Sequence, residues 1–168
     1  TMYLYLFNLR VLVLFVLVAL LPRISDAQEV AFGLGQTEFG AGGRDGAVVD
    51  VEYRHTPFLT RGKFSLALGA VASLSEHGDA FVGGGLWSRL SWPSGWFADL
   101  SLMPGLYQNG ISDNDLGSVV EFRSLLAVGY AFDSTRSVSV GISHMSNADL
   151  ASDNPGVDAY ILRYHVKF

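Results

Sequence analysis

From residue 29 onward the chain alternates apolar and polar side chains with a period of two. The alternation recurs in eight blocks, 29–38, 47–55, 63–75, 80–91, 96–109, 118–132, 137–147 and 157–168. Successive side chains of a strand point to opposite faces, so each block predicts a strand with one apolar and one mixed face. In the third block Phe64, Leu66, Leu68, Ala70, Ala72 and Leu74 share a face, opposed by Ser65, Ala67, Gly69, Val71 and Ser73. The last block sets Tyr160, Leu162, Tyr164, Val166 and Phe168 against Arg163, His165 and Lys167. The second opposes Val49, Val51 and Tyr53 to Asp50, Glu52 and Arg54, and the sixth opposes Val120, Phe122, Leu126, Val128, Tyr130 and Phe132 to Glu121 and Arg123.

A soluble sandwich with a wet polar face shares this pattern. Three features favour a barrel in a membrane. The polar faces are rich in Gly and Ala and carry both charge signs, as a narrow filled interior requires. Aromatic residues gather at strand ends (Trp92, Trp96, Tyr130, Phe132, Phe168), where an interfacial girdle belongs. The final aromatic also completes an alternating strand, resembling the C-terminal assembly signal of outer-membrane proteins, and implies the barrel assembly machinery as a partner. The predicted fold is therefore all-β, an eight-stranded antiparallel transmembrane β-barrel of outer-membrane type, whose closure leaves no unpaired edge in hydrocarbon. With both ends periplasmic, outward loops are expected near 39–46, 76–79, 110–117 and 148–156. Periplasmic connections are expected near 56–62, 92–95 and 133–136, the first of them longer than usual.

The segment ahead of the strands reads differently. Arg10 precedes an apolar run, Val11 to Leu21, too short to span a bilayer as a helix, which needs about 20 residues. Pro22, Arg23 and the small residues of Ser25-Asp26-Ala27 follow. Residues 1–27 are expected to be a secretory signal and 28–168 the barrel. Without Arg10, Arg23 and Asp26, the 11 basic and 16 acidic residues become nine and 15, a formal charge of −6. An acidic chain excludes nucleic acid as a partner, since that binding rests on Lys and Arg neutralising phosphates. There is no cysteine, hence no disulfide, thiolate site or lipid-modified cysteine.

Candidate chemistry lies at the top of the last two strands. The outward parity of Val138, Val140 and Ile142 continues to His144 and Ser146, and that of the eighth strand, traced back from Phe168, reaches Asp158. A hairpin symmetric about residue 151 sets 144 opposite 158, with Cβ atoms about 4.5–5.5 Å apart. Ser146 is two residues along the same face, roughly 6–7 Å away. Hydroxyl, imidazole and carboxylate in that order are what activates a serine: the imidazole takes the hydroxyl proton, and the carboxylate orients and stabilises the imidazolium. Asn147, Asn154 or a loop N–H can supply oxyanion donors. Nothing in such a trio calls for a metal or other cofactor.

The run His144-Met145-Ser146-Asn147-Ala148, followed by Asn154, Gly156 and Tyr160, resembles the PagL-type lipid A 3-O-deacylases of Gram-negative outer membranes. The resemblance runs through the mature chain and is most specific over 116–168. It implies an eight-stranded barrel with His144 as base and Ser146 as nucleophile on the lipid-facing wall. The family's acid falls on Asp158, where glutamate is typical. Phe122 matches a phenylalanine of the family, and pairing about the turn at 134–135 sets it near residue 147, as an acyl-chain contact or an ordinary lipid-facing aromatic. Asn154 matches an asparagine of the oxyanion region, and the glycine expected after Ser-Asn-Ala is Asp149 here. The implied substrate is lipid A within lipopolysaccharide, losing its 3-position acyl group in the outer leaflet of the outer membrane.

Two other readings use the same residues: a non-enzymatic barrel for adhesion or envelope integrity, and a phospholipase or acyltransferase acting on another ester. Monomer and dimer are both compatible with the pattern. His55 and His77 sit near strand ends without a ligand set, and Asp113, Asn114 and Asp115 read as a solvated loop. His165, with Arg163 and Lys167, faces Asp50, Glu52, Asp99 and Glu121 across the lumen, which predicts an interior ion network.

Overall fold

The structure, a computed structural model, describes residues 28–40 and 42–168. The expected signal at 1–27 lies outside the described residues. Strands β1 (Glu29–Phe39), β2 (Ala47–Arg54), β3 (Leu59–Arg61), β4 (Phe64–Ser75), β5 (Ala80–Ser91), β6 (Trp96–Gln108), β7 (Val120–Ala131), β8 (Arg136–Ser146) and β9 (Val157–Lys167) form one antiparallel sheet. Its order is β2-β1-β9-β8-β7-β6-β5-β4-β3, and β2 also pairs with β4, which closes the barrel.

The short strand β3 corrects one expectation. Arg54 pairs with Gly69 but Leu59 pairs with Leu66, so five steps along one side match three along the other. Two residues are looped out around Pro57, which has no N–H to give the ladder. The chain then rejoins β4, His55 donating to the Leu68 carbonyl and Phe58 to that of Leu66. β2 and β3 are thus one kinked wall strand, and the barrel has eight. The expected loop at 56–62 shrinks to a turn at Gly62-Lys63, with Gly62 at φ 58°. Short turns now lie at one end (62–63, 92–95, 132–135), and the other end carries the three longer loops (40–46, 109–119, 147–156) with the short 76–79 connection. By the rule for membrane barrels the short turns are periplasmic and the long loops face outward.

Polarity is inverted relative to a soluble protein. Leu34, Leu68, Leu126 and Leu162 expose between 58 and 62% of their surface on the outer wall, while Glu52, Arg54, Arg163 and His165 expose none. Only hydrocarbon makes such an exterior stable, so the chain is a barrel of the Gram-negative outer membrane. At the periplasmic end Trp96 stacks edge-on against Tyr130 at 5.5 Å, and Tyr130 against Phe132 at 6.1 Å, forming part of an aromatic girdle.

The lumen is filled. In its periplasmic half Arg54 reaches Glu29 (2.6 Å), Glu52 (2.8 Å) and Asp99 (2.8 Å), and Arg89 reaches Glu29 and Asp99. His165 lies between Glu29 and the Ser139 hydroxyl, 2.8 Å from each. Arg163 meets Glu52 at 2.8 Å, and Arg123 meets Asp50 at 2.7 Å. The expected network is therefore present with Glu29 added. Glu121 is not part of it: neither of its carboxylate oxygens has a hydrogen-bond partner among the described residues. Toward the outer end the filling turns apolar, with Val71, Phe81, Met103, Tyr107, Leu116 and Val157 in one cluster.

Candidate functional site

Two strands, β8 and β9, place His144, Ser146 and Asp158. β8 pairs with β9 so that His144 stands directly opposite Asp158, the register of a hairpin symmetric about 151. Met145 turns inward against the apolar cluster, so its neighbours His144 and Ser146 face out. Nδ1 of His144 is 2.7 Å from Oδ1 of Asp158. A carboxylate only accepts, so Nδ1 is the donor of this bond; in a neutral imidazole Nε2 is then the nitrogen able to accept a proton. Both side chains are about half exposed on the outer wall, where lipid is the neighbour. Ser146 ends β8 one turn of the pleat above, and among the described residues its hydroxyl makes no hydrogen bond to the imidazole.

The imidazole's tilt has a local cause. Gly156 has φ 68°, and a Cβ there would lie 3.2 Å from Cε1 and 3.8 Å from Nε2 of His144. The ring therefore leans over a bare backbone toward the outer end, the level at which Ser146 stands. On its other side Ser124 of β7 pairs directly with His144, but its hydroxyl is turned to the His144 carbonyl at 3.4 Å.

Phe122 is outward and half-buried, and it pairs with Ser146 rather than residue 147. The shift of one residue from expectation comes from the turn, where Phe132 and Asp133 N–H groups both reach the Arg136 carbonyl. The aromatic thus sits directly beside the serine.

The two asparagines are engaged in the 147–156 loop. Asn147 is wholly buried with its side chain on the inner side, its Nδ2 donating to the carbonyls of Leu116 (3.0 Å) and Asp153 (2.7 Å). That side chain does not reach the outer wall, so it is no oxyanion donor to Ser146. Asn154 accepts the Asn147 N–H at 3.0 Å and donates to Asp149 at 3.0 Å. Ala148 and Asp149 are both left-handed, φ 54° and 61°, and Leu150 N–H closes the turn on the Asn147 carbonyl. Aspartate tolerates that region better than most residues, which explains how it occupies a place where glycine is expected. Among the described residues the N–H groups of Ala148 and Asp149 have no partner.

Two residues on the same row, Ser124 and Glu38, are not among those the sequence picks out. Glu38 of β1 pairs with Asp158 and accepts a hydrogen bond from the Tyr160 hydroxyl at 3.2 Å. Ser124, His144, Asp158 and Glu38 thus run as one polar row across four strands of the outer wall. Extending the outward parity to β1 and closing the barrel on β9 is the signal that finds Glu38. Among the described residues no group of three or more His, Asp or Glu is arranged to hold a metal.

Comparison with known proteins agrees with this picture. The chain is 36% identical over 56 residues to the lipid A deacylase PagL of Pseudomonas aeruginosa, a match spanning 33% of this chain and 32% of that protein. The crystal structure of the outer membrane enzyme PagL superposes with a TM-score of 0.68 at 20% identity, covering 83% of this chain and 99% of the other. Neisserial surface protein A superposes with a TM-score of 0.52 at 13% identity, over 84% and 96% of the two chains; both likenesses speak to the fold. Residues 46–167 match the family described as lipid A 3-O-deacylase (PagL), and with the greater part of its length inside that match the chain belongs to the PagL family.

Proposed function

We propose that this protein is a lipid A 3-O-deacylase, a serine esterase that works from the lipid-facing wall of its barrel. The observation that carries the reading is the 2.7 Å contact between His144 and Asp158 on the outer surface, two residues along β8 from Ser146. A base and its orienting acid have no structural purpose facing hydrocarbon, where an unneeded charge is costly. Membership of the PagL family supports the substrate, lipid A in lipopolysaccharide.

In the reaction Nε2 of His144 takes the Ser146 hydroxyl proton while Oγ attacks the carbonyl carbon of the 3-position ester. Asp158 stabilises the imidazolium that forms. The imidazolium then gives its proton to the departing sugar oxygen, leaving an acyl-serine and a free 3-hydroxyl. Water, deprotonated by the same imidazole, attacks the acyl-serine and releases a 3-hydroxy fatty acid with Ser146 restored. The free N–H groups of the Ala148–Asp149 turn are the nearest unengaged donors along the chain for the oxyanion. Phe122, paired with Ser146, offers an apolar surface for the acyl chain.

The test is to express the protein in an outer membrane whose lipid A is hexa-acylated and to weigh the lipid A, wild type against Ser146→Ala. Loss of one 3-hydroxyacyl group with wild type alone is the expected result. Unchanged lipid A with a correctly assembled barrel overturns the reading in favour of a non-enzymatic barrel. Altered phospholipid in its place points to a phospholipase or acyltransferase.

A further inference from the structure

Glu121 and Asn147 are both wholly buried on the inner side of the barrel, directly behind the strand end that carries Ser146. Phe122 pairs with Ser146 and Arg123 with Met145; the ladder ends there, and continuing its register by one step beyond the last pair matches Glu121 with Asn147. Directly opposed side chains have Cβ atoms about 4.5–5.5 Å apart. The amide of Asn147 is oriented by its Nδ2, which donates to two carbonyls. Its Oδ1 therefore faces away from them and has no donor, and both oxygens of Glu121 lack one too.

Among the described residues no donor is bonded to these atoms, and the polar groups around them are engaged elsewhere. Glu121's partner on β6 is Gly105, covered by the Phe81 ring. The Tyr107 hydroxyl donates to the Asn114 carbonyl at 2.7 Å, and Arg123 is held by Asp50 and Glu52. Asp79 is engaged by Ser75, Gly110 and Asn114, and the exposed Asp115 accepts from Gly117. Two buried acceptors on neighbouring strand ends each carry a desolvation cost that a single proton shared between them removes.

We propose that Glu121 carries that proton and donates it to Asn147 Oδ1, making it a positioning residue for Ser146. Asn147 already ties the 109–119 loop to the 147–156 loop through Leu116 and Asp153. A hydrogen bond from Glu121 adds β7 to the same knot and fixes the inner face of the corner whose outer face presents the serine. The effect on catalysis rests on the hydrolase reading above; the effect on the loop does not.

The experiment compares Glu121→Gln and Glu121→Ala in the refolded full chain. Glutamine keeps a donor for Asn147 Oδ1 and alanine does not. Limited proteolysis of the 147–156 loop, heat-modifiable migration of the barrel and kcat and KM on lipid A are read together. Alanine is expected to open the loop to protease and lower kcat on the order of tenfold with little change in KM, the scale of one lost buried hydrogen bond. Glutamine is expected to restore both toward wild type. Difference infrared spectra of wild type against Glu121→Gln should contain the carbonyl stretch of a protonated acid. Glutamine as damaging as alanine, or a carboxylate band instead of the acid band, overturns the proposal, as do two variants with wild-type loops. If wild type itself leaves lipid A intact, the hydrolase reading fails, while the protease and infrared results still decide this one.

Discussion

His144 and Asp158 face each other across adjacent strands with Nδ1 and Oδ1 2.7 Å apart, so the shorter acid closes the contact that the family usually makes with glutamate. Direct opposition leaves little distance to span, and an aspartate suffices. Asp158→Asn is expected to keep the barrel and lower kcat by at least about a hundredfold, since an amide neither fixes the tautomer nor stabilises the imidazolium. Asp158→Glu must fold an extra methylene into the same gap and is expected to retain activity within about tenfold of wild type. Lipid A mass after a fixed time in the outer membrane measures both.

Gly156 gives a second handle on the imidazole. Its φ of 68° disfavours any side chain, by roughly 1–2 kcal/mol for an L residue. A Cβ there would also press on Cε1 of His144 from 3.2 Å. Gly156→Ala is expected to tilt the ring away from Ser146 and cost about tenfold or more in kcat. Heat-modifiable migration should persist, because the strain falls on one loop residue. Unaltered turnover would show that the ring does not depend on the bare backbone beneath it.

The interior network offers a stability test independent of catalysis. Glu29 accepts from Arg54, Arg89 and His165 at once, so Glu29→Ala takes one counter-charge from two buried guanidinium groups, leaving Arg89 with Asp99 and Arg54 with Asp99 and Glu52. Removing one partner of a buried ion network typically costs about 3–5 kcal/mol. Urea unfolding in detergent micelles should show that loss, whereas Arg44→Ala on the outward rim should leave the midpoint in place.

The wall of the barrel was legible because alternation is a local property that each strand states for itself, and eight such statements close only one way. The pairing of His144 with Asp158 was legible for a related reason, since a single hairpin sets it. What escaped needed non-local information. The looped-out residues near Pro57 appear only when β2 and β4 are paired, and Glu38 joins Asp158 only through closure of the first strand on the last. Asn147 drew attention as a polar neighbour of Ser146, yet the same parity that sends Ser146 outward sends its side chain in. Glu121 was grouped with the ion network by face alone. Face does not report height, and it sits above the arginines.

Two serines stand near the imidazole, and their geometry differs. Ser124 is the direct cross-strand partner of His144, but its hydroxyl donates to the His144 carbonyl at 3.4 Å, away from Nε2. Ser146 lies two residues along the same strand, at the level of Gly156, over which the ring lies. If proximity in register chose the nucleophile, Ser124→Ala would abolish turnover and Ser146→Ala would spare it. The lean of the ring predicts the opposite. Ser146→Ala should lose about a thousandfold or more, as removal of an activated serine does elsewhere, while Ser124→Ala should stay within about threefold, having lost only one weak, exposed hydrogen bond. An ester-based covalent phosphonate should label wild type and Ser124→Ala and leave Ser146→Ala unlabelled. Labelling that follows Ser124 instead would transfer the nucleophile to β7 and leave His144 and Asp158 in their roles.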